Sequence, residues 1–176
     1  NWTNSVLTTN TMTFKVVASK ITSLSIDKKK AEIFRTTGNH GVATTTTIKV
    51  TAVGGSSWVA TSSNDGIATV EKSGSDVIVK ATGRATGTTT VTVKATDGSN
   101  KKATCKVTVS NPASGLTLSV PNGRSFAVAK GKTMKLVANI EQEFGKISAS
   151  SKKLVWTSSN PTYISVNKSG TVKALV

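Results

Sequence analysis

Hydrophobic and polar residues alternate with a period of two along most of the chain. In "TTIKVTA", Ile48, Val50 and Ala52 fall on one side and Thr47, Lys49 and Thr51 on the other. In "TVTVKAT", Val91, Val93 and Ala95 alternate with Thr92 and Lys94, and in "ATCKVTV", Ala103, Cys105, Val107 and Val109 share a face. Period two is the side-chain repeat of a pleated strand, whereas a helix needs apolar positions every three to four residues. No run of eleven or more residues shows convincing helical spacing, so the pattern predicts an all-β fold. Strands are expected over 21–26, 31–36, 45–53, 57–62, 67–71, 76–81, 87–96 and 101–109, and then over 116–120, 125–129, 132–140, 153–158, 162–166 and 170–175. Between them lie Asn64-Asp65-Gly66, Lys72-Ser73-Gly74 and Asp97-Gly98. Such residues tolerate the positive φ of tight hairpin turns. Seven or so short antiparallel strands of this kind make a two-layer sandwich.

The pattern is written twice. Thr61-Ser62-Ser63-Asn64 recurs as Thr157-Ser158-Ser159-Asn160, and Lys72-Ser73-Gly74 recurs as Lys168-Ser169-Gly170, each 96 residues further on. A unit of about 90 residues is large enough to bury its own core. Residues 1–20 end in "TMTFKVVASK", which matches the alternation of "ATCKVTVSNP", so they read as the closing strand of a preceding repeat plus a junction. One sandwich is then expected over 21–110 and a second over 111–176, linked by Asn111-Pro112. Counterparts of "GTTTVTVKATD" and "KKATCKVTV" do not follow in the second copy before Val176. The second unit is therefore expected to lack its last two strands. Three accounts compete: a piece taken from a longer array, strands supplied by another chain, or residues 1–20 folding back.

"LVWTSSNPTYISVNKSGTVKA" (154–174) resembles the bacterial group 2 immunoglobulin-like repeats known from invasin- and intimin-type adhesins and other surface proteins. The shared pattern is an aromatic-bearing strand, T-S-S-N, an alternating strand, an x-K-S-G turn and T-V-x-A. "GTTTVTVKA" (87–95) matches the stretch that follows in the family. The resemblance covers about 21–176. It implies tandem Ig-like sandwiches that serve a bacterial surface or secreted protein as non-enzymatic spacers supporting adhesion, with other repeats of the same chain as neighbours. Two alternatives stay open: a carbohydrate- or ligand-binding adhesin module, and an Ig-like component of a virion or filament completed by strand exchange. The first copy departs from the pattern. Ala60 stands where the second copy has Trp156, the hairpin around "SGSDVIV" is three residues longer, and "TGNHGVAT" (37–44) has no match.

Lysine-rich composition sharpens the picture. The net charge is +15, and of 23 basic residues only Arg35, Arg84 and Arg124 are arginine. Nucleic-acid readers lean on arginine and stacked aromatics, so no specific nucleic-acid role is expected. Single lysines along strands make a solvated face that discourages edge-to-edge aggregation and attracts polyanions such as cell-wall polymers in a salt-sensitive way; host surface glycans are the other partner class. No apolar run approaches the roughly 20 residues of a membrane span. The chain starts at Asn1 without an initiator Met and reads as an excised piece of something longer; the resemblance implies an extracellular or cell-surface location.

Candidate chemistry is thin. His40 is the sole histidine, in "GNHGV", with no acid and nucleophile beside it. Eight acids are scattered, without the held pair a glycosidase needs, and no phosphate loop or Cys/His metal spacing is present. No catalytic residue, metal or cofactor is expected. Asn39 and His40 mark the loop where a ligand contact would be grafted, and the 141–151 segment is a second such loop. The expected core residues are Trp58 and Trp156, Val50, Val91, Val93, Cys105 and Val107; Tyr163, at the position of Ile67, is expected inward as well.

Overall fold

The protein's computed structural model describes residues 19–35, 41–123 and 125–176. Every regular element is a strand apart from two single-turn 3-10 segments, and the fold is all-β. The first eight strands are β1 (Ser23–Ile26), β2 (Lys30–Phe34), β3 (Thr45–Val53), β4 (Trp58–Ser62), β5 (Ala68–Ser73), β6 (Asp76–Ala81), β7 (Gly87–Ala95) and β8 (Lys102–Ser110). They form two four-stranded sheets in the orders β1-β3-β6-β5 and β2-β8-β7-β4. All pairings are antiparallel except β2 with β8.

The two sheets face one another across one apolar cluster, in which Ile33, Ile48, Val77, Val79, Cys105 and Val107 are fully buried. Val91 and Val93 are also buried, as are Val50 and Trp58 at the margin. The alternating pattern explains the sorting. Along β7 the buried residues are Thr89, Val91, Val93 and Ala95, while Thr88, Thr90 and Lys94 are exposed. Lys72 closes the sandwich over Trp58: its Nζ lies 3.9 Å from the ring centroid and donates to the Trp58 carbonyl at 3.1 Å.

The second half carries β9 (Ala113–Ser119), β10 (Thr133–Lys135), β11 (Val137–Gln142), β12 (Ile164–Val166) and β13 (Thr171–Ala174). β9 pairs with β11, and β13 lies between β10 and β12. The single strand expected over 132–140 is broken at Leu136, whose amide donates instead to the Gly170 carbonyl at 2.9 Å. Two expected strands are not strands. Residues 125–129 and 153–158 carry no strand pairing among the described residues.

Trp156 and Tyr163 also differ from the expected inward placement. Trp156 is half-buried, and Tyr163 is 57% exposed. The Trp156 indole has one sheet beneath it and lies against Gly170, where an added Cβ would stand 2.6 Å from its Cζ2. Gly170 has φ +80, so both its conformation and this contact require glycine.

Candidate functional site

The region that distinguishes this chain from an isolated sandwich is the junction at Asn111-Pro112. Parallel pairing of β2 with β8 brings the C-terminal ends of both strands to the same edge, with Phe34 opposite Ser110. The Arg35 amide then donates to the Ser110 carbonyl at 3.0 Å. These bonds place Glu32 and Arg35 where the chain leaves the first sandwich.

Both side chains reach the 144–150 loop of the second half. The Glu32 carboxylate accepts from Ser110 Oγ through one oxygen and from Ser150 Oγ through the other, each at 2.7 Å. The Arg35 guanidinium lies 3.8 Å from the centroid of the Phe144 ring, and its Nη1 donates to the Arg84 carbonyl at 3.1 Å. From the linker itself, Asn111 Nδ2 donates to the Lys146 carbonyl and the Asn111 carbonyl accepts from the Ser148 amide, both at 3.2 Å. Pro112 and Ile147 are buried beside them. Each contact is modest, with about 0.5–1.5 kcal/mol for a hydrogen bond and about 0.5–1 kcal/mol for a partly exposed cation–π pair. Together they hold a two-residue link from several directions. The 141–151 segment, read from sequence as a ligand loop, is thus turned into the joint.

The T-S-S-N motif shows its purpose in the first sandwich. Thr89 on β7 is buried, and its hydroxyl oxygen lies 2.8 Å from Ser62 Oγ and 3.1 Å from Ser63 Oγ, and accepts from the Asn64 amide at 3.0 Å. Ser63 Oγ in turn accepts from the Thr90 amide at 2.9 Å. Sequence reasoning missed Thr89. The available signal was a hydroxyl on the inward row of an otherwise apolar strand. In the second copy Thr157, Ser158, Ser159 and Asn160 line an open groove of about 430 Å³ with Leu118, Leu136, Trp156, Tyr163, Ile164 and Val166.

Other candidate residues stand apart from one another. Asn39 and His40 lie outside the described residues. Cys105 is fully buried, and burial pushes its thiol up from the usual range, which leaves it protonated and a poor nucleophile. Among the described residues, no three His, Cys, Asp or Glu side chains group closely enough to hold a metal ion. Asp97, read from sequence as a turn former, accepts from the Ser99 amide at 2.9 Å and also from the Ile21 amide. It ties the β7–β8 turn to the start of the first sandwich. Among the described residues, no helix is long and apolar enough to cross a membrane.

Residues 120–176 match the family model of the bacterial Ig-like domain (group 2). The matched stretch runs from Val120 through the groove to the last residue and includes both Trp156 and Gly170. An uncharacterized protein of Clostridium acetobutylicum is 31% identical over 121 residues, 69% of this chain, and the chain spans 11% of that protein's length. Among solved structures, domains 5–6 of the S-layer protein SbsC align over 88% of this chain and 82% of theirs, at 19% identity and a TM-score of 0.40. A longer SbsC structure, domains 1–6, aligns over 88% of this chain and 21% of its own length, at 19% identity and a TM-score of 0.39.

Proposed function

We propose that this chain is a structural section of a longer bacterial surface or secreted protein, in which Ig-like sandwiches act as non-enzymatic spacers that support adhesion. The junction carries this reading. A spacer works only if successive units hold a fixed direction, and here Glu32, Arg35 and Asn111 each bond or stack across a two-residue link. Repetition then adds reach without new chemistry. The test is the distribution of distances between spin labels at Thr69 in the first sandwich and Lys173 in the second half. A narrow distribution that broadens in the Glu32→Ala, Arg35→Ala, Phe144→Ala triple variant supports the spacer. A distribution already broad in the unaltered chain overturns it.

A second reading is favoured by the groove that Trp156 and Tyr163 line: completion of the second sheet by strands from a partner, as in an assembled filament. Light scattering over a range of concentrations separates the two. A discrete oligomer with slow amide exchange over 153–166 supports assembly, and a monomer with fast exchange there leaves the spacer reading.

A further inference from the structure

The exposed face of the β2-β8-β7-β4 sheet gathers lysines that the sequence spaces apart. Register places Lys94 directly opposite Lys102 and Lys30 directly opposite Lys106. Between these two pairs runs one row of hydroxyls, with Thr61 beside Thr92 and Thr92 beside Thr104. All four lysines are exposed, as are Thr61 and Thr104, and Thr92 is half-exposed. None of the three threonine hydroxyls makes a hydrogen bond among the described residues. With a rise of about 3.4 Å per residue, the lysine pairs stand about 14 Å apart along the strands, and the hydroxyl row spans about 10 Å across them.

Folding does not account for this arrangement. Like charges directly opposite on neighbouring strands destabilise a sheet, and here there are two such pairs. Lysines that guard a sheet against aggregation belong on edge strands, yet Lys94, Lys102 and Lys106 stand on β7 and β8, the two central strands. The four strands hold one acid, Glu32, and both of its oxygens are occupied at the junction.

We propose that this face binds a linear phosphodiester polymer lying along the strands, its phosphates seated on the two lysine pairs and its intervening stretch crossing the threonine row. Lysine meets phosphate as a point charge, and serine and threonine hydroxyls donate to phosphate oxygens. No exposed aromatic ring stands on the four strands, so bases of a nucleic acid would find no stacking platform. The function goes beyond spacing: the same sandwich that extends the protein would hold it against an anionic polymer.

The probe is inorganic polyphosphate, with polyglutamate of similar length as the carboxylate control, titrated into the full chain at about 50 and about 200 mM salt, where counterion release weakens binding steeply. Lys94→Gln/Lys102→Gln and Lys30→Gln/Lys106→Gln are each expected to weaken polyphosphate binding about tenfold or more. Lys49→Gln/Lys80→Gln, the same charge change on the opposite sheet, is expected to change it less than about twofold. Because each face variant removes a like-charge pair, its melting temperature should not fall, which separates lost binding from lost folding. Equal losses from both sheets, or polyglutamate binding as tightly as polyphosphate, would overturn the assignment. So would unchanged affinity in Thr61→Val/Thr92→Val/Thr104→Val.

Discussion

The two halves repeat one set of strand pairings, divided in the second half between the β9–β11 pair and the β10-β13-β12 sheet, and differ in the other sheet. β1, β3, β6 and β5 have counterparts in β9, β11 with β10, β13 and β12, and the registers agree: Ala68 stands opposite Ala81 as Ile164 stands opposite Ala174. The β2-β8-β7-β4 sheet has no such counterpart among the described residues. The consequence appears in burial. Ile48 and Val50 are buried in β3, whereas Leu136 and Ala138, which follow the same alternation, are half-buried. Leu24 and Ile26 pack against the first core, while Leu116 and Leu118 are 54% and 46% exposed. Alternation selects the face a residue takes. Whether that face becomes a core depends on a second layer over it.

Tryptophan substitutions give the largest contrast. Trp58 is 5% exposed between two sheets, so Trp58→Ala should cost the first sandwich about 3–5 kcal/mol. Trp156 rests on one sheet, and Trp156→Ala removes only part of that burial, about 1–2 kcal/mol at roughly 25 cal/mol per Å² of apolar surface. Urea unfolding followed separately by amide exchange in each half checks this. Equal costs at the two sites would show that the second half has a closed core in solution.

Legibility divides along the same line. Cys105 and Val107 are readable because β8 lies between two complete strands, and Trp58, on the edge strand β4, because a second sheet covers the side that its period-two pattern turns inward. Trp156 and Tyr163 carry the same pattern, and their placement was misjudged because pairing is a property of two segments and the partners of 153–158 are not among the described residues. The junction was not legible for a related reason. Glu32 and Arg35 are an ordinary acid and base in the sequence; only the parallel β2–β8 register carries them to Ser150 and Phe144. The lysine pairs are likewise invisible until register sets Lys94 against Lys102.

A smaller contrast lies in the repeated T-S-S-N motif. Thr89→Val keeps the shape of the side chain and removes the hydroxyl that meets Ser62, Ser63 and the Asn64 amide. Leaving buried polar groups without a partner costs about 1–3 kcal/mol. The Asn64 and Thr90 amides should exchange faster in this variant, and the melting temperature of the first sandwich should drop. Residues 157–160 should be untouched, since no hydroxyl of this kind reaches them among the described residues. A matching change at both motifs would mean that the two share a partner.

The smallest effect is set by pH, and it falls on the first half. The Ile21 amide, followed by contacts with Ser99, lowers the Asp97 carboxyl below its ordinary value of 3.8. A lowered carboxylate binds protons less readily folded than unfolded, so its contribution is fully present above that ordinary value and fades as pH falls through the folded one. The stability of the unaltered first sandwich should therefore decline through this acid window more steeply than that of Asp97→Asn. The variant should lose some stability at neutral pH, where the charged acceptor at the Ile21 amide is gone. Asp97 is only half-buried, so the difference should be small and should shrink as salt rises. Chemical denaturation of both proteins between pH 2.5 and pH 7 measures it. Parallel curves would show that the Asp97–Ile21 contact does not hold in solution, and that the start of the first sandwich is fastened by the β1–β3 ladder alone.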